Sequence, residues 1–496
     1  MAVRSSLGDL AMYIGGRWIS DRSADRAEVR SPVTGEVIAT IPQGTRRDAD
    51  NAIESARASQ QRWAVTPLPE RARVSRRIAE VARRRHAELT HLLTLEQGKP
   101  YHTEAIVEAG AVPIWFDMAA EYALTLETPV LPIENPAKRV FTIRQPRGVY
   151  AVVTPWNYPL GTPSQYLSAA LVTGNAVVWV PAPSTSACAV KLMECLEEAE
   201  VPPGIVNLVT GPGPVVGDEI VAHPGTDAVA FTGSSATGRT IAARAAGKPL
   251  VLELGGNGPT LVFSDADLER AAPAIAWGCY RNAGQVCTAT GRILVDERVR
   301  EELADRLVDA AKKVRLGDPF DPLTTMGPLN NERTATKVDE HVADARQRGA
   351  HIRFGGRRAE GFPTDLYYLP TVVDGVPPES RLHLEETFGP VGALIPFHDE
   401  EEAFRLAAAS GLGLAGAVFT RDIGRALRVA ERLRLGTVII NDQSSYWDRR
   451  SPAGGASGTF SGIGRLGGKY TLLEMTDLKT IVIDVGSGPN MAQPAT

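Results

Sequence analysis

Cysteine is scarce: the 496 residues contain four, Cys188, Cys195, Cys279 and Cys287, with no CxxC pair and no histidine cluster beside them. That scarcity argues against a disulfide scaffold and a zinc site, so no metal is expected, and it points to a reducing, cytoplasmic compartment. Long apolar runs are missing too. The N-terminus "MAVRSSLGDLAMYIGGRWIS" lacks the continuous hydrophobic stretch of a secretion signal, and nothing approaches a membrane span in length. Positive charge is not in excess, since 53 basic residues face 58 acidic ones for a formal net charge of -5. Neither nucleic acid nor an anionic membrane is therefore expected as a partner. The one basic run, "RRRH" at 83–86, lies within a helical spacing of Val74, Ile78, Val81, Leu89 and Leu92 and reads as a solvated helix face. Internal repeats and low-complexity tracts are absent, and only the terminal "GSGPNMAQPAT" reads as a frayed tail.

What is present is an alternation of strand and helix patterns in a chain too long for one compact core; 496 residues predict two to four domains. Between about 149 and 254, the runs "VYAVV", "NAVVWV", "IVNLV", "DAVAF" and "PLVLEL" alternate with helical segments such as "STSACAVKLMECLEEAE". Apolar strands separated by crossover helices predict an α/β fold with a parallel sheet covered on both faces. A second series starts near 256 with "PTLVF" and continues through "RILVD", "GALIPF", "GAVFT" and "GTVIIN", with helices expected near 267–282, 298–313 and 422–434. Two segments fit neither series. "KRVFTIRQP" at 138–146 and "LKTIVIDV" at 478–485 alternate like strands that leave the body to pair with each other or with a partner, which predicts an oligomer.

Ligands of parallel sheets bind beyond the carboxyl ends of the strands, so the residues following each apolar run carry the chemistry. Asn157 in "TPWNYP" has an amide that can donate to a developing oxyanion, although asparagine beside proline is also a common turn residue. "FTGSSATG" at 231–238 and "GPGPVVG" at 211–217 are glycine-containing turns opening helices, where free backbone N–H groups favour a phosphate. Neither is a GxGxxG fingerprint, and each alone reads equally well as a plain turn. Glu253, at the end of "PLVLEL", is either a desolvated carboxylate with the raised pKa of a general base or a side chain that escapes to solvent. Cys287 stands in "RNAGQVCTATGR" among Gly284, Gln285, Thr288 and Gly291, small and polar neighbours that leave a thiol accessible. The other three cysteines read as packing residues.

Together "TPWNYP", "ALVTGNAVV", "FTGSSATG", "LELGGN", "GQVCTATGR", "EETFGPV" and "SGIGRLGG" stand in an order and spacing that resembles the aldehyde dehydrogenase superfamily, over residues 13 to about 485. The resemblance implies that Cys287 is the nucleophile, that Asn157 and the Cys287 N–H form the oxyanion hole, and that Glu253, 34 residues before the cysteine, is the base. It implies oxidation of an aldehyde to the acid through a cysteine thiohemiacetal and thioester, with hydride passing to NAD or NADP. Cofactor contacts fall on Thr154, Pro155, Trp156, Val180, Pro183, Gly213, Gly217, Phe231, Thr232, Gly233, Ser234, Leu254, Gly255, Glu386 and Phe388. The implied fold is a Rossmann-type dinucleotide domain (1–122 and 147–255), a catalytic α/β domain (256–456) and bridging strands with a tail (123–146 and 457–496), assembled as a homodimer or homotetramer.

The chain also departs from the family pattern. In "WVPAPST", Val180 replaces the usual ribose-binding lysine and Pro183 the usual glutamate; Tyr166, nine positions after Asn157, replaces a basic residue. With neither the repelling acid nor the attracting base, a 2′-phosphate is not excluded and not held, and its desolvation tips the balance to NAD, bound more weakly than usual. Ala453 stands where the family has phenylalanine. Tyr158, Trp115 and Trp447 predict an aromatic-walled substrate pocket. Arg449 and Arg450 read either as solvated at a loop tip or as turned inward to pair with an anionic aldehyde. A relative that passes its thioester to coenzyme A and a weakened member that only binds are the alternatives; Glu253 and the Asn157–Glu253–Cys287 set oppose them.

Overall fold

The computed structural model describes residues 7–20 and 25–486. Its first sheet is built on five parallel strands, β1 (Val149–Thr154), β2 (Ala176–Pro181), β3 (Val206–Leu208), β4 (Ala228–Thr232) and β5 (Leu250–Glu253), in the order β5-β4-β1-β2-β3. Every residue of β2 is buried, as expected of a Val-rich strand covered on both faces by crossover helices such as α1 (Gly161–Val172) and α2 (Ser186–Glu198). The chain crosses from β1 to β3 in one direction and then places β4 on the other side of β1. Strand order reverses there, and a crevice opens at the carboxyl ends of β1 and β4.

A second sheet holds β6 (Gly258–Val262), β7 (Thr290–Asp296), β8 (Thr371–Asp374), β9 (Val391–Phe397), β10 (Ala415–Phe419) and β11 (Thr437–Ile440), all parallel in the order β8-β9-β7-β6-β10-β11. Helices Leu268–Tyr280, Arg300–Lys313 and Ile423–Arg432 fall within the segments where helical spacing expects them. Each sheet has its own apolar core, one around Tyr150, Leu167 and Trp179 and the other around Leu261, Ile293 and Leu394.

The two stray strands pair with each other. Lys138–Pro146 and Thr476–Asp484 run antiparallel along their whole lengths, from Thr476 opposite Pro146 to Asp484 opposite Lys138. Residues 462–475, grouped with these strands from sequence, instead return to the first unit: Gly462–Ile463 pairs with β5, and Leu466, Leu472 and Met475 are buried in its core. The "RRRH" run is also less free than its spacing suggests, because Arg83 pairs with Asp117, Arg84 with Glu198 at 2.7 Å, and Arg85 with Glu88 at 2.8 Å. The tail lies outside the described residues from 487 onward. Among the described residues no helix is long and apolar enough to cross a membrane.

Candidate active site

Cys287 lies on the loop that joins helix Leu268–Tyr280 to β7, and Glu253 is the last residue of β5. Both line one cavity of about 370 Å³ between the two sheets' loops. The cysteine loop is strained: Asn282 (φ 49°), Ala283 (φ 53°) and Gly284 (φ 73°) are successively left-handed, at a cost of about 1–2 kcal/mol for each residue with a side chain. Buried hydrogen bonds hold it there. Asn282 N donates to Glu104 Oε1 (3.0 Å), Gln285 Nε2 to Asn282 O (2.8 Å), and Asn330 N to Gln285 Oε1 (2.8 Å). The three remaining cysteines are buried free thiols.

Asn157 follows β1 and is 6 % exposed; its Nδ2 donates to Gln285 O at 3.0 Å, two residues before Cys287. One amide N–H is spent on that bond, and the second is left for a ligand oxygen. Its backbone carbonyl is fixed from the other side by Lys99 Nζ at 2.7 Å. Lys99 is itself buried against Glu108, and its ammonium sits 3.6 Å from the centre of the Tyr158 ring. Glu108 Oε1 in turn accepts the N–H groups of Leu160 and Gly161, each at 3.0 Å. Lys99, Glu104 and Glu108 hold the Asn157 and cysteine segments and were missed in the sequence, since nothing in "QGKPYHTEAIVE" marks a partner for Asn157.

Burial dominates the protonation of the reacting groups. It pushes the Cys287 thiol up to about 12, helped by the Glu253 and Glu386 carboxylates and opposed by the Cys287 and Thr288 backbone N–H groups. It also raises Glu253 well above the usual carboxylate range, against the charge of Arg465. Glu253 Oε1 has no hydrogen-bond partner among the described residues. One cavity thus holds a thiol and a carboxyl group that burial shifts toward their protonated forms, with a carboxyl oxygen that makes no hydrogen bond.

The cofactor candidates gather at the β1/β4 crevice. Pro155 and Trp156 follow β1, Thr232 ends β4 and Gly233 and Ser234 follow it; Ser234 caps helix α3 (Ser235–Arg244), its Oγ accepting Thr237 N at 3.2 Å. A Cβ added at Gly213 or Gly217 would meet nothing within 4 Å, so both leave room on their turn. Glu386 reaches over Gly255, accepting Gly256 N at 3.0 Å, and its other oxygen would lie 2.7 Å from a Cβ at Gly255. The Phe388 ring, on a left-handed residue (φ 61°), packs edge-on against Trp156 with centroids 5.5 Å apart. These turns, open glycines and half-buried carboxylate fit a dinucleotide. Pro183 is exposed at the start of its turn. Val180 is 2 % exposed and, with Phe231 and Leu254, packs in the core around Ile53, while the Thr154 hydroxyl accepts from Trp179 Nε1 at 2.9 Å.

On the substrate side, Tyr158, Trp115, Trp447 and Arg449 line the cavity, with the Trp115 and Trp447 rings 5.5 Å apart. Of the two readings of Arg450, the solvated one fits: it is exposed and does not line the cavity, whereas Ser445, Tyr446, Trp447 and Arg449 of the same loop do. Arg281 and Gln165 line the wall as well and were missed; Arg281, the basic residue that opens the cysteine segment, was the available signal. Tyr166 is buried, its hydroxyl 2.7 Å from Thr232 Oγ1. Asp50, Glu219 and His223 bring ligand atoms within 4.8 Å of one another, but none lines the cavity, and Arg46 already engages Glu219.

Comparison with known proteins gives consistent matches. The model of the aldehyde dehydrogenase family covers residues 18–481. The chain is 37 % identical to betaine aldehyde dehydrogenase of Bacillus subtilis over 95 % of its own length and 96 % of the relative's. It is 35 % identical to glutarate-semialdehyde dehydrogenase of Pseudomonas putida, over 95 % of this chain and 97 % of that one. A crystal structure of Staphylococcus aureus betaine aldehyde dehydrogenase in complex with NAD+ superposes with a TM-score of 0.92 at 36 % identity, covering 97 % of each chain.

Proposed function

This chain belongs to the aldehyde dehydrogenase family, and from that premise we propose which of its residues carry the family's reaction. The protein oxidises an aldehyde to the carboxylic acid through a cysteine thiohemiacetal and thioester, with NAD+ or NADP+. Cys287 Sγ attacks the carbonyl carbon and gives its proton to the unengaged oxygen of Glu253. The free amide N–H of Asn157 and the Cys287 backbone N–H receive the oxyanion. Bound NAD(P)+ supplies the acceptor for the hydride that leaves the same carbon. The carbonyl re-forms as a thioester on Cys287; Glu253 passes the cysteine's proton on to solvent, and the regenerated carboxylate then takes a proton from the water that releases the acid and returns it to the departing sulfur. Gly213, Gly217, Gly233 and Ser234 would hold the pyrophosphate, and Glu386 and Phe388 the nicotinamide end. One observation carries this reading: Cys287 and Glu253 face the same cavity while the Asn157 amide is tied to the cysteine loop.

Glu253 also favours hydrolysis over transfer to coenzyme A. The test is acid formation from an aldehyde panel without added thiol, beside Cys287→Ala; an alanine variant that reduces cofactor as fast as the parent would sink the assignment. Loss of the ribose contacts at Val180 and Pro183 supports NAD over NADP, and titration calorimetry with both nucleotides decides it. The four free thiols suit the cytoplasm. The exposed apolar residues Leu478 and Val482 on the outer strand suit a homodimer or homotetramer. Kinship alone leaves the aldehyde open, since the matched relatives' names include one quaternary-ammonium aldehyde and one carboxylate-bearing semialdehyde.

A further inference from the structure

The cavity wall carries more cationic donors than the protein itself uses. Among the described residues, the guanidinium groups of Arg281 and Arg449 make no hydrogen bond and no ion pair, although both line the cavity with Cys287. Burial opposes the Arg449 charge, the Asp448 carboxylate supports it and Arg281 opposes it, while Arg281 is itself held up by Tyr158, Glu104 and Glu108, none of them within ion-pair distance. Two partly buried guanidinium groups that face one cavity and contact no acid keep their donors for an anion that enters it. Gln165, 6 % exposed in the same wall, adds an Nε2 with no partner.

The acids nearby act on the two arginines only from beyond ion-pair distance. Glu108 is taken by Lys99 and two backbone N–H groups. Glu104 accepts Asn282 N and is raised by burial, acting on Arg281 from beyond ion-pair distance. Asp448 accepts the N–H of Arg450 at 2.8 Å. Glu253 is raised well above the carboxylate range by burial. Around the arginines, Trp115, Trp447 and Tyr158 give flat apolar walls suited to a hydrocarbon or aromatic spacer.

We infer that the substrate is an aldehyde whose far end bears a carboxylate, received by Arg281 and Arg449, while the carbonyl end meets Cys287. Guanidinium forks match a carboxylate in bidentate geometry, and the same pair repels a quaternary-ammonium aldehyde. This inference rests on the aldehyde oxidation proposed above and narrows it to one charge class.

The test compares kcat/KM for glutarate semialdehyde, pentanal and betaine aldehyde with the full-length enzyme and its nicotinamide cofactor. Glutarate semialdehyde is expected to exceed the uncharged pentanal by roughly tenfold or more, with betaine aldehyde the poorest. In Arg281→Met and Arg449→Met the ratio of the anionic to the neutral substrate falls by about the same factor, carried by KM, and Arg449→Lys keeps part of it. Should Arg281→Met misfold, added salt gives a second reading, lowering kcat/KM for the anion selectively. Equal or better use of pentanal or betaine aldehyde by the parent, or an unchanged ratio in the folded variants, overturns the inference while leaving aldehyde oxidation standing. Failure to reduce cofactor with any of the three removes both.

Discussion

Burial, more than any neighbouring charge, sets the resting state of Cys287, and this fixes how its reactivity responds to pH. A thiol held up at about 12 is a minor thiolate near neutrality, so alkylation by iodoacetamide in the free enzyme should keep accelerating beyond about pH 10, with no plateau at the ordinary thiol value. A plateau near the unperturbed value would mean that the sulfur is solvated. Glu253 is raised in the same sense, so its basic form grows as pH rises, and the hydrolytic limb of kcat should climb with pH and flatten in Glu253→Gln. Asn157→Ala removes one oxyanion donor, and kcat should fall by about 10²–10³-fold with the protein still folded. Stopped-flow cofactor reduction reads this directly. Asn157 and Glu253 were legible as residues that follow or end an apolar run, and Cys287 by its small and polar neighbours. Their protonation was not, because dehydration depends on what covers them.

At the scale of elements, Asn157 is positioned by a buried ion pair that sequence spacing does not reveal. Lys99 follows helix His86–Gln97 and Glu108 lies in helix Ile106–Thr125, while Asn157 is on the turn after β1. Only the packing of those helices against the sheet brings the three together. Lys99→Met leaves the Glu108 carboxylate buried with its backbone donors alone, and should cost about 3–5 kcal/mol in denaturant melts. Adding Glu108→Gln should restore part of that loss, and a double variant no better than the single would argue against the pairing. The strained loop before Cys287 has a similar status. The glycine at 284 was visible, but consecutive left-handed residues at Asn282 and Ala283 follow from hydrogen bonds to Glu104 and Gln285 rather than from local preference.

For the whole molecule, the decisive feature is the edge of the outer sheet. Thr476–Asp484 forms that edge, with Leu478 at 57 % and Val482 at 58 % exposure on one face. An open apolar edge of this kind favours addition of a second copy. Leu478→Lys combined with Val482→Asp should shift the sedimenting mass from an oligomer to the monomer. A parent that already sediments as a monomer would refute this reading.

By itself the sequence determined the α/β class, the succession of strands along the chain, the pairing-competent outer segments and Asn157, Glu253 and Cys287 as candidates. Strand and helix periodicity and turn chemistry are local properties, readable from neighbours along the chain. Only the tertiary structure decided that Arg449 faces the cavity and Arg450 does not, that Val180 is spent on the core, and that Arg281, Lys99 and Glu108 join the site. Side-chain direction in a loop and the meeting of distant helices are fixed by packing across the whole molecule, which no local pattern encodes.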